Sequence, residues 1–367
     1  MSEPEFPLCV PEPELLVEVR HSVGFITLNR PKALNTLNLP MVRALQATLN
    51  EWARSDAVQA VVVQGRGDKA FCAGGDVRTV HGYVTQNHPD YEVFFEEEYA
   101  LNEYIYHYPK PYIAALNGIV MGGGMGISQG ASHRLVNEYT RMAMPENAIG
   151  LFPDVGASYF LTRHSKALAL YLGMVGKVLN AQDALFCHLT DWSLPLAQWP
   201  IFFQGLETLA VANTSHRANE SRGDLSAQID KLLTDLKATQ TGLPSFVADH
   251  IEDINTVFSQ PSVSEIFSVL KQSATSTWGS EALQILQKNS PLAIQATWAL
   301  LQRGHTLGLS DCFKLELELI KLWKHKGEFT EGVRAALIDK DKKPKWNFSL
   351  GELDTARLRA ELPPLFG

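Results

Sequence analysis

The chain has 367 residues, 45% hydrophobic and 20% charged, with 32 basic against 40 acidic side chains and a net charge of −8. This size and balance suit a folded chain with a large core and room for a second, smaller domain. The acidic total argues against a nucleic-acid binder, which needs a basic face, but not against an anionic small ligand met by a local lysine cluster.

Cys9, Cys72, Cys187 and Cys312 are scattered without a CxxC pair, which points to reduced thiols rather than a disulfide framework or a zinc site. The opening MSEPEFPLCVPEPELL is acidic and proline-rich, unlike a secretory signal or an arginine-rich transit peptide. No uninterrupted apolar run is long enough to cross a bilayer. The expectation is a cytoplasmic chain with neither membrane nor nucleic acid as a partner.

In chain order, residues 1–13 read as an exposed lead-in, because Pro4, Pro7, Pro11 and Pro13 prevent regular structure. Leu15–Arg20 and Val23–Asn29 are β-type runs around His21-Ser22, a hairpin pattern. Leu39–Ala53 carries apolar residues at helical spacing. Ala57–Val63 is apolar except for Gln59, as in a strand buried on both faces. The glycine-rich stretch 65–76 reads as a loop leading into a helix near Val77–His81. Residues 94–108 follow as a helix, with Pro109 and Pro111 to stop it. Tyr112–Leu116 is a second buried strand, Gly122–Gly130 a helix, His133–Asn137 and Thr140–Met144 strand-like pieces, and Ser158–Leu172 a helix.

Alternating strands and helices up to about residue 195 predict an α/β, layered sheet-and-helix core over 1–196. A mainly helical domain over 197–367 follows, with helices at Leu225–Leu236, Val263–Gln272, Glu281–Gln287, Pro291–Arg303 and Asp311–Trp323. Ser290 before Pro291 is a good helix start.

Two motif matches fail on context. GRGDKA (65–70) has the skeleton of a dinucleotide turn, yet it runs into AFCAGGD instead of a helix. GISQG (126–130) has the spacing of a nucleophile elbow, but GGGMG precedes Ser128, which reads as a packing residue within a helix. The eleven histidines show no ligand spacing, so no metal is expected. What remains is a pair of glycine-rich loops, Ala73-Gly74-Gly75-Asp76 and Gly122-Gly123-Gly124, each after a buried strand and before a helix. One N–H from each could meet a carbonyl oxygen, and Glu146 and Asp154 follow downstream, eight positions apart (154 − 146).

Five stretches, GFITLNRPKALNTL (24–37), AFCAGGD (70–76), PYIAALNGIVMGGGMGIS (111–128), MPENAIGLFPDVG (144–156) and NAQDALFCHLTDW (180–192), resemble the crotonase (enoyl-CoA hydratase/isomerase) superfamily. The resemblance implies an α+β spiral of repeated ββα units followed by a helical C-terminal domain. It also implies a coenzyme A thioester as substrate, no separate cofactor, and often a homo-oligomeric trimer or hexamer. The thioester carbonyl would lie between the N–H groups of Gly75 and Gly123, with Ala73 and Lys32 beside the substrate.

The hydratases of the superfamily use two glutamates. Here the second is present as Glu146, but the first position is Gly126, which has no acid–base group. Asp154 appears instead. Together with Glu97-Glu98-Tyr99, FTEGVRAALIDKDKKPKW (329–346) and the extra helical length between about 200 and 290, this resembles the 3-hydroxyisobutyryl-CoA hydrolase branch. The branch implies thioester hydrolysis in valine catabolism, with Glu146 and Asp154 catalytic and Glu98 in the substrate site. Dienoyl-CoA isomerase, enoyl-CoA hydratase and a non-catalytic acyl-CoA-binding protein remain as alternatives.

Each residue also has a plainer reading. Glu146 would sit in the first turn of a helix, Asp154 would cap the next one, and Glu98 would belong to a solvated face. Lys340, Lys342, Lys343 and Lys345 are either a solvated run or a contact for coenzyme A phosphates.

Overall fold

The computed structural model describes residues 12–215, 224–238, 242–272, 276–326, 328–353 and 355–366. The expected lead-in over 1–13 therefore falls almost entirely outside the described residues. Strands β1 (Leu15–Arg20) and β2 (Val23–Leu28) form the antiparallel hairpin. Its two-residue turn places His21 at φ 46° and Ser22 at φ 64°, and two left-handed residues match the twist of the flanking strands.

From β2 the sheet continues in parallel through β3 (Ala60–Gly65), β5 (Tyr112–Leu116), β7 (His133–Val136) and β9 (Trp192–Ser193). A second sheet holds three short parallel strands, β4 (Ala70–Cys72), β6 (Ile119–Met121) and β8 (Arg141–Ala143). Each repeat thus sends its first strand into the large sheet and its second into the small one, which is the ββα spiral. Of the small sheet, only the β8 region was expected as strand. β4 and β6 fall where a loop and a helix approach were expected, since three residues carry no periodicity.

The apolar run of β3 is explained by burial on both faces. Val61 and Val63 join one core with α1 (Leu39–Arg54), whereas Ala60 and Val62 join another. Helices α8 (Trp199–Ser215) and α9 (Leu225–Asp235) cover that second face through Phe202, Leu206, Ile229 and Leu233. Each fully buried aliphatic side chain of this kind contributes about 1.5–3 kcal/mol.

On the first face lie α2 (Val77–Thr85), α3 (Asp90–Tyr106), α4 (Gly123–Gln129) and short α5 (Ala157–Phe160), then α6 (Lys166–Val175) and α7 (Ala181–Phe186). The single helix expected over Ser158–Leu172 is instead two. Ser165 caps α6 by accepting from Leu168 N, and His164 is extended between the pieces. Helices α10 (Phe246–Asp249) through α14 (Pro291–Gly304), then α15 (Leu309–Trp323) and α16 (Glu328–Val333), pack onto the same face. Ser290 accepts from Ala293 N at 3.0 Å with Pro291 at the first position, so α14 starts where the sequence placed it.

Candidate active site

The site is built where repeats of the spiral end. The loop after β4 brings Gly74 and Gly75 against the Gly122-Gly123 turn after β6. A Cβ placed on Gly123 would lie only 3.3 Å from Gly75 N. Gly122 has φ 47° and Gly74 φ 112°, a region open to glycine, and this backbone lets the two loops approach. Gly123 is the first residue of α4, so its N–H has no intrahelical acceptor. Both donors border a cavity of about 750 Å³ that also takes in Ala73, Lys32, Glu98, Glu146 and Asp154. Every site residue expected from the sequence is therefore gathered around one cavity.

Three successive glutamates of α3 take different directions, as 100° per residue requires. Glu96 pairs outward with Lys321 at 2.6 Å, and Glu97 pairs with Arg43 at 2.7 Å. Glu98 turns inward, is 2% exposed, and has an Oε1 without a hydrogen-bond partner. Its oxygen would lie 2.5 Å from a Cβ on Gly123, which places it beside the glycine turn. The solvated-face reading of Glu98 is thereby removed.

Glu146 opens a short 3₁₀ turn (Glu146–Ile149) after Pro145, and its buried Oε2 is unpartnered. Asp154 does not cap a helix with its side chain. Its Oδ2 accepts from Tyr99 Oη at 2.6 Å, which ties it to α3 behind the cavity wall. Sequence reasoning missed Tyr99 as a contact of the site, because 55 positions separate the partners and only a fold brings them together.

These three buried carboxyls shape one another's charge. Burial pushes Asp154 up to about 6, while the Tyr99 hydrogen bond acts in the opposite direction. Burial first, and then the Asp154 charge, hold both Glu146 and Glu98 well above the ordinary carboxylate range. Groups tuned this way in a concave pocket are candidates for proton transfer or nucleophilic attack.

The structure also shows why Gly126 carries no side chain. A Cβ there would lie 2.6 Å from Asn102 Nδ2 and 2.8 Å from Val155 Cβ. The place of the missing glutamate is filled by α3 and by the segment after Asp154. Ser128 is fully buried and donates to Met125 O at 3.2 Å, in keeping with a packing role.

Among the cations, Arg30 is engaged by Asp76 at 2.8 Å and by the Thr36 carbonyl at 2.7 Å, tying the β2 end to the cap of α2. Lys32 is exposed at the cavity rim. Lys340, Lys342, Lys343 and Lys345 are exposed, beyond a π-helical turn (Arg334–Ile338) from which Leu337 reaches the cavity. Phe94 and Phe95 from α3, Leu151, and Phe329 from α16 supply the apolar wall; the helical spacing over 94–108 turns the first two toward the core, and none of the four was expected as a site residue.

Buried carboxyls and converging glycine loops are thus set into a ββα spiral, the crotonase-type fold. The family model for enoyl-CoA hydratase/isomerase matches residues 23–360, and the chain belongs to that family. It is 37% identical over 343 residues to the 3-hydroxyisobutyryl-CoA hydrolase, mitochondrial, of Xenopus tropicalis, covering 94% of this chain and 86% of that protein. The human protein of the same name is 36% identical over 336 residues, covering 91% and 84%. Among solved structures, a carnitinyl-CoA dehydratase from Mycobacterium thermoresistibile superposes with a TM-score of 0.85 at 30% identity, covering 96% of both chains.

Proposed function

We propose that this chain is an acyl-CoA thioester hydrolase that cleaves 3-hydroxyisobutyryl-CoA to 3-hydroxyisobutyrate and coenzyme A. The observation that carries the reading is the pairing of Glu146 and Asp154 with a filled Gly126 position, which leaves no glutamate at the first of the two positions that hydratases use to add water across a double bond. The names of relatives at 36–37% identity over most of the chain support it.

In this reading the thioester carbonyl oxygen accepts from Gly75 and Gly123 N–H. Each donor contributes roughly 2.7–4 kcal/mol once charge develops on that oxygen. Glu146 either attacks the carbonyl carbon or takes a proton from the attacking water. The C–S bond then breaks, and the thiolate leaves and is protonated. On the nucleophilic route water next hydrolyses the anhydride between Glu146 and the acyl group, which frees the acid and regenerates the carboxylate. On either route one water is consumed. Asp154, fixed by Tyr99, binds the substrate 3-hydroxyl or orients the water, and Glu98 contacts the acyl part. Lys32 at the rim meets the nucleotide end.

A thiol-reactive dye tests this directly. Coenzyme A released from 3-hydroxyisobutyryl-CoA is the expected result, whereas loss of diene or enoyl absorbance without free thiol would assign an isomerase or hydratase instead. The same assay carries a pH prediction. Glu146 must be ionised to act, and its carboxyl is held well above the ordinary range. Activity is therefore lost as pH falls through that raised value. The acid limb of kcat/KM should lie clearly above about 4.3, where an ordinary glutamate titrates. A profile flat down to about pH 5 would contradict this assignment of Glu146.

A further inference from the structure

Beyond the residues that border the cavity, three further acids are buried among the described residues, Asp183, Glu316 and Glu328, and of these Glu316 is bonded next to Asp154. Glu316 on α15 has no exposed surface and, among the described residues, no cationic partner within hydrogen-bond reach; burial pushes its carboxyl up to about 8. All its hydrogen bonds go to the segment just after Asp154. Its Oε2 accepts from Gly156 N at 2.7 Å, and its Oε1 accepts from Ser158 N at 2.9 Å and from Ser158 Oγ at 2.5 Å.

That segment needs holding. Val155 has φ 54°, a left-handed conformation that a β-branched residue avoids, and Gly156 follows at φ 89°. The turn redirects the chain so that the Asp154 side chain enters the cavity while Val155 packs under Gly126. On the same helix, the Phe313 ring closes the space beneath Gly156, where a Cβ would meet Phe313 Cζ at 2.8 Å. Phe313 in turn lies 6.0 Å, centroid to centroid, from the Tyr99 ring. Asp154 is therefore gripped from two sides. Tyr99 holds its carboxylate from α3, and Glu316 holds the backbone of Gly156 and Ser158, two and four residues on, from α15.

We propose that Glu316 is a positioning residue, which aims Asp154 at the substrate by fixing the strained Val155-Gly156 turn, with Tyr99 as the opposing half of the clamp. The proposal rests on the hydrolase reading for its activity readout, and on the turn geometry for the rest. Burying a carboxyl is costly unless it is hydrogen-bonded, and the hydrogen bonds of Glu316 all go to residues two and four after Asp154.

The test compares the wild type with E316Q, S158A and Y99F in thiol release, coenzyme A affinity by calorimetry, and thermal unfolding. A glutamine at 316 can still accept from Ser158 but presents an amide N–H₂ to Gly156 N, so it releases that end of the turn. The expected result for E316Q is a kcat lower by about 10²-fold, the cost of misplacing a group by roughly 1 Å, with coenzyme A affinity unchanged. S158A keeps both backbone bonds to Glu316 and should lose less, and Y99F should lower kcat with affinity intact. An E316Q protein with a lower melting temperature but wild-type kcat would assign Glu316 to stability alone and overturn the proposal. If E316Q does not fold, wild-type kcat in both S158A and Y99F overturns it. If the wild type releases no thiol from any 3-hydroxyacyl-CoA, the hydrolase reading fails by itself. A crystal structure of E316Q or Y99F then decides the clamp: an unmoved Asp154 carboxylate overturns it, and a displaced one supports it.

Discussion

Replacing Glu146 by glutamine is expected to leave a folded protein that releases essentially no coenzyme A. Glutamine matches glutamate in shape, and the buried Oε2 of Glu146 has no hydrogen bond to lose. What disappears is the ability to ionise. General acid–base catalysis contributes typically about 10²–10⁴-fold, and removal of a nucleophile would cost more. The fold should gain rather than suffer, in a defined pH window. Because burial raises the Glu146 carboxyl above its unfolded value, its contribution to stability is present at low pH and lost as pH rises through the folded value. E146Q should therefore melt at or above the wild-type temperature near neutral pH, with no gain at or below about pH 4, where the unfolded carboxyl is also protonated. Turnover within about tenfold of wild type, followed with the thiol dye, would remove Glu146 from the chemistry.

The second large effect is expected from Gly124→Ala, a residue that contributes neither a carboxyl nor one of the two N–H donors. A Cβ at 124 would lie 2.3 Å from the Cys72 carbonyl oxygen and 3.0 Å from its carbon, both backbone atoms at the end of β4. No rotamer change relieves that contact, so α4 and the strand must separate. Since β4 leads into the Gly74-Gly75 loop and α4 begins at Gly123, separating them spreads the two donors. Loss of one well-aimed donor costs about 10²–10³ in kcat, and the overpacking itself costs about 1–3 kcal/mol of stability. Thiol-release kinetics beside a thermal melt separate the two effects. A variant destabilised to this degree yet catalysing at the wild-type rate would mean that close approach of the loops is not what stabilises the transition state.

Much of this site was legible in the sequence because its chemistry depends on local features. Glycines that must reach positive φ, a hairpin turn of two left-handed residues, a serine–proline helix start and a run of valines buried on both faces each leave a mark within a few positions. Gly126 was informative for the same reason: the absent side chain is visible in one dimension, and the structure supplies the cause, Asn102 and Val155 filling the space. What stayed hidden depends on distance along the chain. Tyr99 meets Asp154 across 55 positions and Glu316 meets Gly156 across 160, and no periodicity links such pairs. β4 and β6 are too short for a strand pattern, and the helix expected over Ser158–Leu172 was divided by a cap at Ser165 whose signal lay inside an otherwise continuous apolar spacing. Glu98 was ambiguous within a run of three glutamates until α1 and α15 supplied partners for the other two.

The apolar wall offered by Phe329 and Leu337 has a consequence for how the enzyme comes into being. α16 is locked beneath the Glu146 turn by glycines: a Cβ on Gly150 or on Gly332 would lie 2.2 Å from the facing backbone, so the two segments touch main chain to main chain. During synthesis the glycine loops, Glu98, Glu146 and Asp154 all emerge well before this closing piece, at roughly 5–20 residues per second. Among the described residues, Phe329 and Leu337 are thus the last in the chain to border the cleft, and they close one side of it. The desolvation that raises the Glu98, Glu146 and Asp154 carboxyls therefore depends in part on residues nearly two hundred positions beyond Glu146 in the chain.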